Sequence, residues 1–281
     1  MSLTLLLAGC GKMGGALLEG WLERGIRPQD VTIVDPNTEI TDRLQRDHGV
    51  MIAASPDALS DHFAPDVVML AVKPQMMDDV LPHYARFAGQ GSTGHDSTGQ
   101  GSVFLSIAAG KTIGYFENHL GSDAAIIRAM PNTPAAVRRG ITVGCTNRNV
   151  NDTQRATCDG LLQAVGSVEW VDDEGLIDAV TALSGGGPAY VCLLVECLAQ
   201  AGIDAGLPAD LAMRLARETV AGSGELLHRS TEAAEILRKN VTSPGGTTAE
   251  ALRVLMAEDG WQPLVSAAIA AATARSRELA G

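Results

Sequence analysis

The chain has 281 residues, of which 46% are hydrophobic and 19% charged, and its formal net charge is −12 at pH 7. This composition predicts a folded protein of about two domains rather than a disordered chain. The acidic balance and the lack of a basic run argue against a nucleic-acid partner, because phosphate binding requires clustered Lys and Arg.

The cysteines and the N-terminus bear on the cellular compartment. Five cysteines are scattered along the chain without a Cys-x-x-Cys pair, which indicates unpaired thiols in a reducing cytosol. The six histidines have no metal-ligand spacing. The apolar run before Cys10 is too short for a signal sequence, and no apolar stretch reaches the roughly 18 residues that a membrane span needs. We therefore expect a cytoplasmic protein with no metal site and no membrane partner.

In the first half of the chain, short apolar runs alternate with segments of helical periodicity. The runs at 3–8, 31–34, 67–72, 103–107, 125–128 and 141–145 are candidate strands, and 13–24 is a candidate helix. Continuous apolar strands that alternate with helices predict a parallel-rich sheet covered on both faces. Segment 88–102 consists largely of Gly, Ser, Thr and Gln and is predicted to be a surface loop.

After residue 171 the strand pattern ends. Segments 188–205, 209–229, 231–239, 248–257 and 263–279 have helical character. The last of these segments is rich in alanine, and its small side chains would allow close packing either with a partner subunit or within one chain. We place the domain boundary near Gly166, which gives an α/β domain at 1–166 and an all-α domain at 167–281.

The first motif with chemical content is Gly9-Cys10-Gly11-Lys12-Met13-Gly14. It follows a predicted strand and opens a predicted helix, which is the setting of a dinucleotide-binding G-x-G-x-x-G fingerprint. The glycines permit a tight turn and the close approach of a pyrophosphate, and the helix N-terminus offers N–H groups to that anion. The alternative is a glycine-rich turn that binds no ligand.

Asp35 ends the second predicted strand, where an acidic residue can bind a ribose 2′-hydroxyl. A carboxylate at this position would repel a 2′-phosphate, so the residue favours NADH over NADPH. In the alternative interpretation, Asp35 is a turn residue before Pro36 that faces away from the ligand.

Two more loops follow predicted strands. Lys73, in the segment AVKP, lies where ligands bind in open α/β sheets, although a surface lysine before a turn would look the same. Asn132 and Thr133 lie between two prolines in a rigid loop. They could bind a nicotinamide or a substrate, or they could cap the next turn.

Two glycine-rich turns lie in the second half. The segment SGGGPAY at 184–190 could permit close helix packing or could contact a ligand directly. The segment KNVTSPGGTT at 239–248 opens a predicted helix with hydroxyls and glycines. It could cradle an anion with its backbone N–H groups or supply a side-chain cap to the helix, and its spacing alone favours the cap.

These segments together resemble the pyrroline-5-carboxylate reductase family. The resemblance is carried, in the family's order and over nearly the whole chain, by GCGKMGGAL at 9–17, AVKP at 71–74, SIAAG at 106–110, RAMPNTP at 128–134, LIDAVTALSGGGPAY at 176–190 and VTSPGGTT at 241–248. It implies an N-terminal Rossmann domain and an all-α C-terminal domain that forms a homodimer, with further assembly into decamers in some members. The implied reaction is reduction of 1-pyrroline-5-carboxylate, a cyclic imine carboxylate, to L-proline by NADPH or NADH.

The resemblance also assigns site residues. The implied cofactor-binding residues are Gly9, Cys10, Gly11, Lys12, Met13, Gly14, Asp35, Ala71, Val72, Lys73 and Asn132. The implied substrate-binding residues are Asn240, Ser243, Gly245, Gly246, Thr247 and Thr248, with Thr248 as the catalytic hydroxyl at the ring nitrogen. Gly186 stands where the family usually has the second serine of S-G-S-G-P-A-Y, and Lys12 stands where Asn is common.

The missing acid or base in VTSPGGTT suits this chemistry. A cyclic imine carries its own basic nitrogen, and the cofactor supplies the hydride, so the protein contributes position and electrostatics. Two other functions compete with this interpretation. One is another NAD(P)-dependent imine or 3-hydroxyacid oxidoreductase, although the lysine with an asparagine four residues later that such dehydrogenases share is not reproduced at Lys239 and Ser243. The other is a regulator that binds NAD(P) without catalysis.

Overall fold

A computed structural model describes residues 3–88 and 101–280 of the chain. The chain divides into two compact units, of which the first comprises Met1–Gly185 with Thr273–Gly281 and the second Gly186–Ala272. We call the first the sheet unit and the second the helical unit. Most of the segment predicted to be a surface loop, residues 89–100, lies outside the described residues.

One sheet organises the sheet unit. Its strands are β1 Leu5–Ala8, β2 Val31–Val34, β3 Met51–Ala53, β4 Val67–Leu70, β5 Val103–Ser106, β6 Ala125–Met130, β7 Gly140–Thr146 and β8 Gly166–Trp170. Over the described ranges their order is β3-β2-β1-β4-β5-β6-β7-β8, and every neighbouring pair is parallel except β6 and β7. The parallel-rich sheet is therefore confirmed, and its first six strands have the Rossmann order.

The three central strands, β1, β2 and β4, end in register with one another. Ala8, the last residue of β1, is opposite Val34 of β2 and Leu70 of β4. All three strands therefore end at the same height. The chain order reverses between β1 and β4, and ligands bind outside the carboxyl ends of strands at such a switch point.

Helices cover both faces of this sheet. Their bounds are α1 Lys12–Glu23, α2 Thr38–His48, α3 Met77–Val80, α4 Ile113–Leu120, α5 Asp152–Gln163 and α6 Ile177–Val180. Successive strand side chains point to opposite faces, so Leu5 and Leu7 enter the core beneath α1 and α5, while Leu6 and Ala8 enter the core beneath α4. The indole of Trp21 in α1, only 1% exposed, donates a 2.9 Å hydrogen bond to the carbonyl of Leu161 in α5.

The structure places the division between the units later than the boundary expected at residues 166 and 167. That boundary would separate β8 from the sheet, but β8 pairs with β7 from Gly140↔Gly166 to Gly144↔Trp170. The strand was missed because Gly166, Ser167 and Glu169 interrupt its apolar pattern. The sheet unit continues to Gly185.

The second half of the chain is helical, as predicted. Its helices are α7 Gly187–Asp204, α8 Ala209–Arg229, α9 Ala234–Asn240, α10 Thr247–Leu255 and α11 Trp261–Ala280. Of residues 186–272, all of which are described, only Ala199, Ala212 and Ala216 are buried. The helix α11 is divided between the two units. Its residues 261–272 belong to the helical unit and are largely exposed, whereas its residues from Thr273 belong to the sheet unit.

One stretch, Glu174–Asp204, is long and apolar enough to cross a membrane by length and composition alone, and 11% of its most apolar window is buried. The expectation that no stretch reaches this length is therefore wrong. The stretch is not one uniform helix, because a 3-10 turn at Glu174–Leu176, α6 and a π-helical turn at Thr181–Gly185 precede α7. Exposed apolar surface on helices also marks protein–protein contacts.

Over residues 3–88 and 101–280, no cluster of three or more His, Cys, Asp or Glu side chains is arranged to hold a metal ion. The five cysteines are all free thiols. Cys10, Cys145 and Cys158 are buried, whereas Cys192 and Cys197 on α7 are exposed.

Candidate active site

The glycine loop between β1 and α1 is held by close backbone contacts. Gly9 has a φ of +85°, and a Cβ at this position would lie 2.9 Å from the carbonyl oxygen of Ala71 and 3.0 Å from Cγ1 of Val72. A Cβ on Gly14 would collide with the carbonyl oxygen of Gly9. The first and third glycines of the motif are therefore required for the loop to pack against the end of β4 and against the start of α1.

The middle glycine has a different environment. No described atom lies within 4 Å of the position that a Cβ on Gly11 would occupy, so packing does not require a glycine there. Gly11 is the N-cap residue of α1, which has neither a side-chain cap nor an acidic residue in its first turn within the described chain. The missing side chain thus leaves open space in front of uncapped N–H groups at the positive end of a helix.

A cavity of about 870 Å³ adjoins this loop. It is lined by Cys10, Gly11, Lys12, Met13, Gly15, Ala16, Glu19, Ile40, Arg43, Leu44, Thr133 and Ala136. Lys12 and Arg43 bring two positive charges to it, and neither forms an ion pair within the described part of the chain. Open space, helix N–H groups and two cations fit the pyrophosphate of a dinucleotide.

Asp35 fixes the outer edge of the loop. Its Oδ2 accepts a 2.7 Å hydrogen bond from the N–H of Cys10, and its Oδ1 accepts a 2.9 Å bond from the N–H of Asn37. The carboxylate therefore forms the turn after β2, as one of the two interpretations expected, and it points toward the glycine loop rather than away from it. Burial, followed by the charge of Asp35, raises the pKa of the Cys10 thiol to about 12, so this thiol is neutral at physiological pH.

The structure brings some of the other expected cofactor residues to the same edge. Ala71 and Val72 lie beside the glycine loop, since they occupy the space that a Cβ on Gly9 would need. Lys73 is exposed and begins a 3-10 turn at Pro74–Met76.

Asn132 is engaged by the protein itself. Its Oδ1 accepts a 3.0 Å hydrogen bond from the N–H of Ile141, and its Nδ2 donates a 3.2 Å bond to Oγ of Ser184. It does not cap the 3-10 turn that follows, Thr133–Val137. The side chain therefore ties the loop after β6 to β7 and to the π-helical turn.

The second glycine-rich turn is packed tightly at one position. A Cβ on Gly185 would lie 2.5 Å from Cε of Met130, whereas no described atom lies within 4 Å of the Cβ position on Gly187. The neighbour of Gly185 is the end of a flexible side chain rather than backbone, so Gly185 lies close to Met130 of β6 but a side chain there could be accommodated by movement of that methyl group. The helix α7 then begins at Gly187, with Pro188 in its first turn.

An ion pair that involves a buried arginine of β6 was not predicted from the sequence. Arg128 of β6, 4% exposed, donates a 2.7 Å hydrogen bond from Nη1 to Oε1 of Glu174, and the N–H of Ile113 donates to the same oxygen at 2.8 Å. One carboxylate thus joins β6, the start of α4 and the turn after β8. The signal that could have found it is a charged residue inside an otherwise apolar predicted strand.

The expected substrate loop lies in the helical unit, between Asn240 at the end of α9 and Thr247 at the start of α10. Gly245 has a φ of +70°, and Gly246 is the N-cap residue of α10. No side chain of the described chain caps this helix, so the side-chain cap favoured from spacing is wrong. The reason is that glycine occupies the capping position, which leaves the first N–H groups of α10 beside two threonine hydroxyls. Thr247 is exposed and Thr248 is half-buried.

The chain matches two family models. Residues 174–279 match the family model for pyrroline-5-carboxylate reductase dimerisation, and residues 4–92 match that for coenzyme F420-dependent NADP oxidoreductases. A pyrroline-5-carboxylate reductase of Synechocystis sp. is 38% identical over 280 residues, with 99% of each chain covered.

Solved structures extend the likeness to the whole fold. A pyrroline-5-carboxylate reductase from Coxiella burnetii is 31% identical with a TM-score of 0.90, and all of both chains is covered. The pyrroline carboxylate reductase of Plasmodium falciparum, solved with NADP bound, is 30% identical with a TM-score of 0.79, over 99% of this chain and 98% of that one. The chain described here therefore belongs to the pyrroline-5-carboxylate reductase family.

Proposed function

We propose that this protein reduces 1-pyrroline-5-carboxylate to L-proline with NADPH or NADH. The proposal rests on the structure of the loop before α10, in a chain that belongs to this family. It offers uncapped helix N–H groups and threonine hydroxyls, and it contains no acid or base between Val241 and Thr248. A reaction whose hydride comes from a cofactor and whose nitrogen is itself basic requires no such group.

The sheet unit would hold the dinucleotide. Gly11 supports this assignment, because its missing side chain leaves room that packing does not explain. The uncapped N-terminus of α1, with Lys12 and Arg43 beside it, would bind the pyrophosphate. Gly9, Gly14, Ala71 and Val72 would shape the loop, while Asp35, Lys73 and Asn132 would contact the rest of the cofactor or position its neighbours.

The helical unit would hold the substrate. N–H groups at the start of α10, together with Ser243, Gly245 and Gly246, would bind the carboxylate, because a helix N-terminus favours an anion. Thr247 would line the same pocket and Asn240 would close it. Thr248 would donate a hydrogen bond at the ring nitrogen and relay a proton to it from water.

Self-association is part of the proposal. Large apolar side chains of the helical unit are exposed, among them Leu193, Leu226 and Leu264 at 57%, 66% and 68%. Together with the match to a dimerisation model, this supports a homodimer that buries α7 and α11 against a second copy and can assemble further. We expect the protein to work in the cytoplasm, as its free thiols suggest.

The test is a steady-state assay of NADH and NADPH oxidation with 1-pyrroline-5-carboxylate, with proline identified as the product. Hydroxyacids with NAD⁺ or NADP⁺ serve as the parallel control. Turnover of a hydroxyacid alone would favour the rival dehydrogenase, and cofactor binding without turnover of either substrate would favour a regulator.

A further inference from the structure

We propose that this chain selects NADH over NADPH and that Asp35 is the residue that discriminates. The inference rests on the proposed function, because it concerns the adenosine end of the same cofactor. One relative was solved with NADP bound, so the preference proposed here is not carried over from that relative and is argued from this chain's own residues.

Asp35 is held in place rather than free to move aside. Its two oxygens accept hydrogen bonds from backbone N–H groups of Cys10 and Asn37, at 2.7 Å and 2.9 Å. One of these donors lies in the glycine loop and the other in the turn after β2, so the carboxylate is anchored from both sides. An anchored carboxylate at the end of the second strand can still accept from a ribose 2′-hydroxyl through its remaining lone pairs.

The residues beside Asp35 offer no compensation for a phosphate on that hydroxyl. Residues 35–40 read Asp-Pro-Asn-Thr-Glu-Ile, which contains two carboxylates and no cation. The Asn37 side-chain oxygen already caps α2, accepting from the N–H groups of Glu39 and Ile40 at 3.1 Å and 3.3 Å. A 2′-phosphate would bring about two negative charges to this position, where like charges repel.

The two nearby cations sit where they would serve both cofactors. Lys12 and Arg43 line the cavity together with Gly11 and Met13, beside the loop that would hold the pyrophosphate. Arg43 is in the second turn of α2, beyond the capping turn that follows Asp35. The pyrophosphate is common to NADH and NADPH, so these charges raise affinity without discriminating between them.

The experiment measures binding directly, by calorimetry of the purified protein with NADH and with NADPH, which differ only in the 2′-phosphate. We expect NADH to bind about tenfold or more tightly than NADPH. Equal affinities, tighter binding of NADPH, or no binding of either nucleotide would overturn the proposal. This readout does not depend on catalysis, so a clear preference without imine reduction would sink the proposed function and leave the preference standing.

Variants locate the source of the preference. Asp35→Asn keeps an acceptor for a backbone N–H but removes the charge, and it should shrink the ratio of the two affinities to about threefold or less. Asp42→Asn, the matched control on α2, should leave the ratio unchanged. Arg43→Ala should weaken both nucleotides by similar factors. A selective loss of NADPH binding in Arg43→Ala, or an unchanged ratio in a folded Asp35→Asn, would refute the assignment to Asp35.

Discussion

The sheet unit and the helical unit differ in how much of their apolar surface is buried within the single chain. The sheet unit buries two apolar cores, one on each face of its sheet, and its loops are tied by hydrogen bonds to buried or half-buried groups such as Asp35, Asn132 and Glu174. The helical unit buries three alanines and exposes many large apolar side chains. The apolar side chains of the first unit are largely buried within the single chain, whereas we propose that a second copy covers those of the helical unit.

This difference bears on how each unit would contribute to catalysis. The glycine loop that would hold the dinucleotide is packed so closely at Gly9 and Gly14 that a Cβ would not fit there, so we expect this loop to be preformed. The loop before α10, which would hold the substrate, is largely exposed in the single chain, and a second copy would cover it in the proposed dimer. Binding and chemistry should therefore be separable by mutation.

The largest effect is expected from Gly14→Val. Its Cβ would collide with the carbonyl oxygen of Gly9, which is backbone and cannot swing away. We expect nucleotide binding, measured by calorimetry with 5′-ADP, to be lost and the sheet unit to be destabilised. Gly160→Ala in α5 is the control, because no described atom lies within 4 Å of its Cβ position, and it should raise stability by about 0.5–1 kcal/mol. Retained affinity in Gly14→Val would show that the loop is not preformed.

Thr248→Ala tests the proposed contribution of the helical unit to the chemical step. Removal of this hydroxyl should lower kcat by about 300-fold, because one donor at the reacting nitrogen is lost. The affinity for 5′-ADP should stay within twofold, since the loop that would bind the nucleotide lies in the other unit. Thr248→Ser should recover most of the activity. Unchanged turnover in Thr248→Ala would remove Thr248 from the mechanism.

A charge on the exposed face of α7 tests whether the helical unit needs a second copy. Leu193 is 57% exposed in the single chain, and Leu193→Asp should weaken self-association by about 100-fold, as seen by analytical ultracentrifugation. Val137 of the sheet unit is 69% exposed, and Val137→Asp should leave the oligomeric state unchanged. An unaltered assembly in Leu193→Asp would mean that this face of α7 stays open.

Most of the fold could be predicted because apolar pattern dictates burial. Strands β1 and β4 are continuous apolar runs, and each is followed by a segment that contains Gly or Pro. The short strand β3 was missed because three residues, of which Met51 is 51% exposed, give no periodic signal. β8 alternates polar and apolar residues, with Glu169 exposed, which is typical of a half-buried edge strand, and it was missed because it is not a continuous apolar run.

The site divides in the same way. The glycine motif and Asp35 are readable because their chemistry depends on local order along the chain. The bond from Cys10 to Asp35 spans 25 residues, and the pair of Arg128 and Glu174 spans 46, so both depend on tertiary approach that no local pattern encodes. The side-chain cap on α10 is missing because the helix begins at Thr247, one residue earlier than predicted, so that Gly246 occupies the N-cap position.

The smallest effect is expected from loss of the ion pair between Arg128 and Glu174. Glu174→Ala would leave the guanidinium of Arg128, 4% exposed, without its carboxylate and would remove an acceptor from the N–H of Ile113. Because the Glu174 side chain is itself 30% exposed, we expect a loss of about 2 kcal/mol in the free energy of unfolding of the sheet unit, below the range for fully buried pairs.

The matched control is Glu278→Ala, which breaks the 2.8 Å pair with Arg275 in α11, where both side chains are more than 60% exposed. This change should alter the free energy of unfolding by no more than about 0.5 kcal/mol, because solvent screens an exposed pair. Urea titrations of both variants, followed by the fluorescence of Trp21 and Trp170 in the sheet unit, measure the difference. If the two variants lost equal stability, the pair of Arg128 and Glu174 would stabilise the sheet unit no more than an exposed ion pair does. The contrast between the two units would then rest on apolar burial alone.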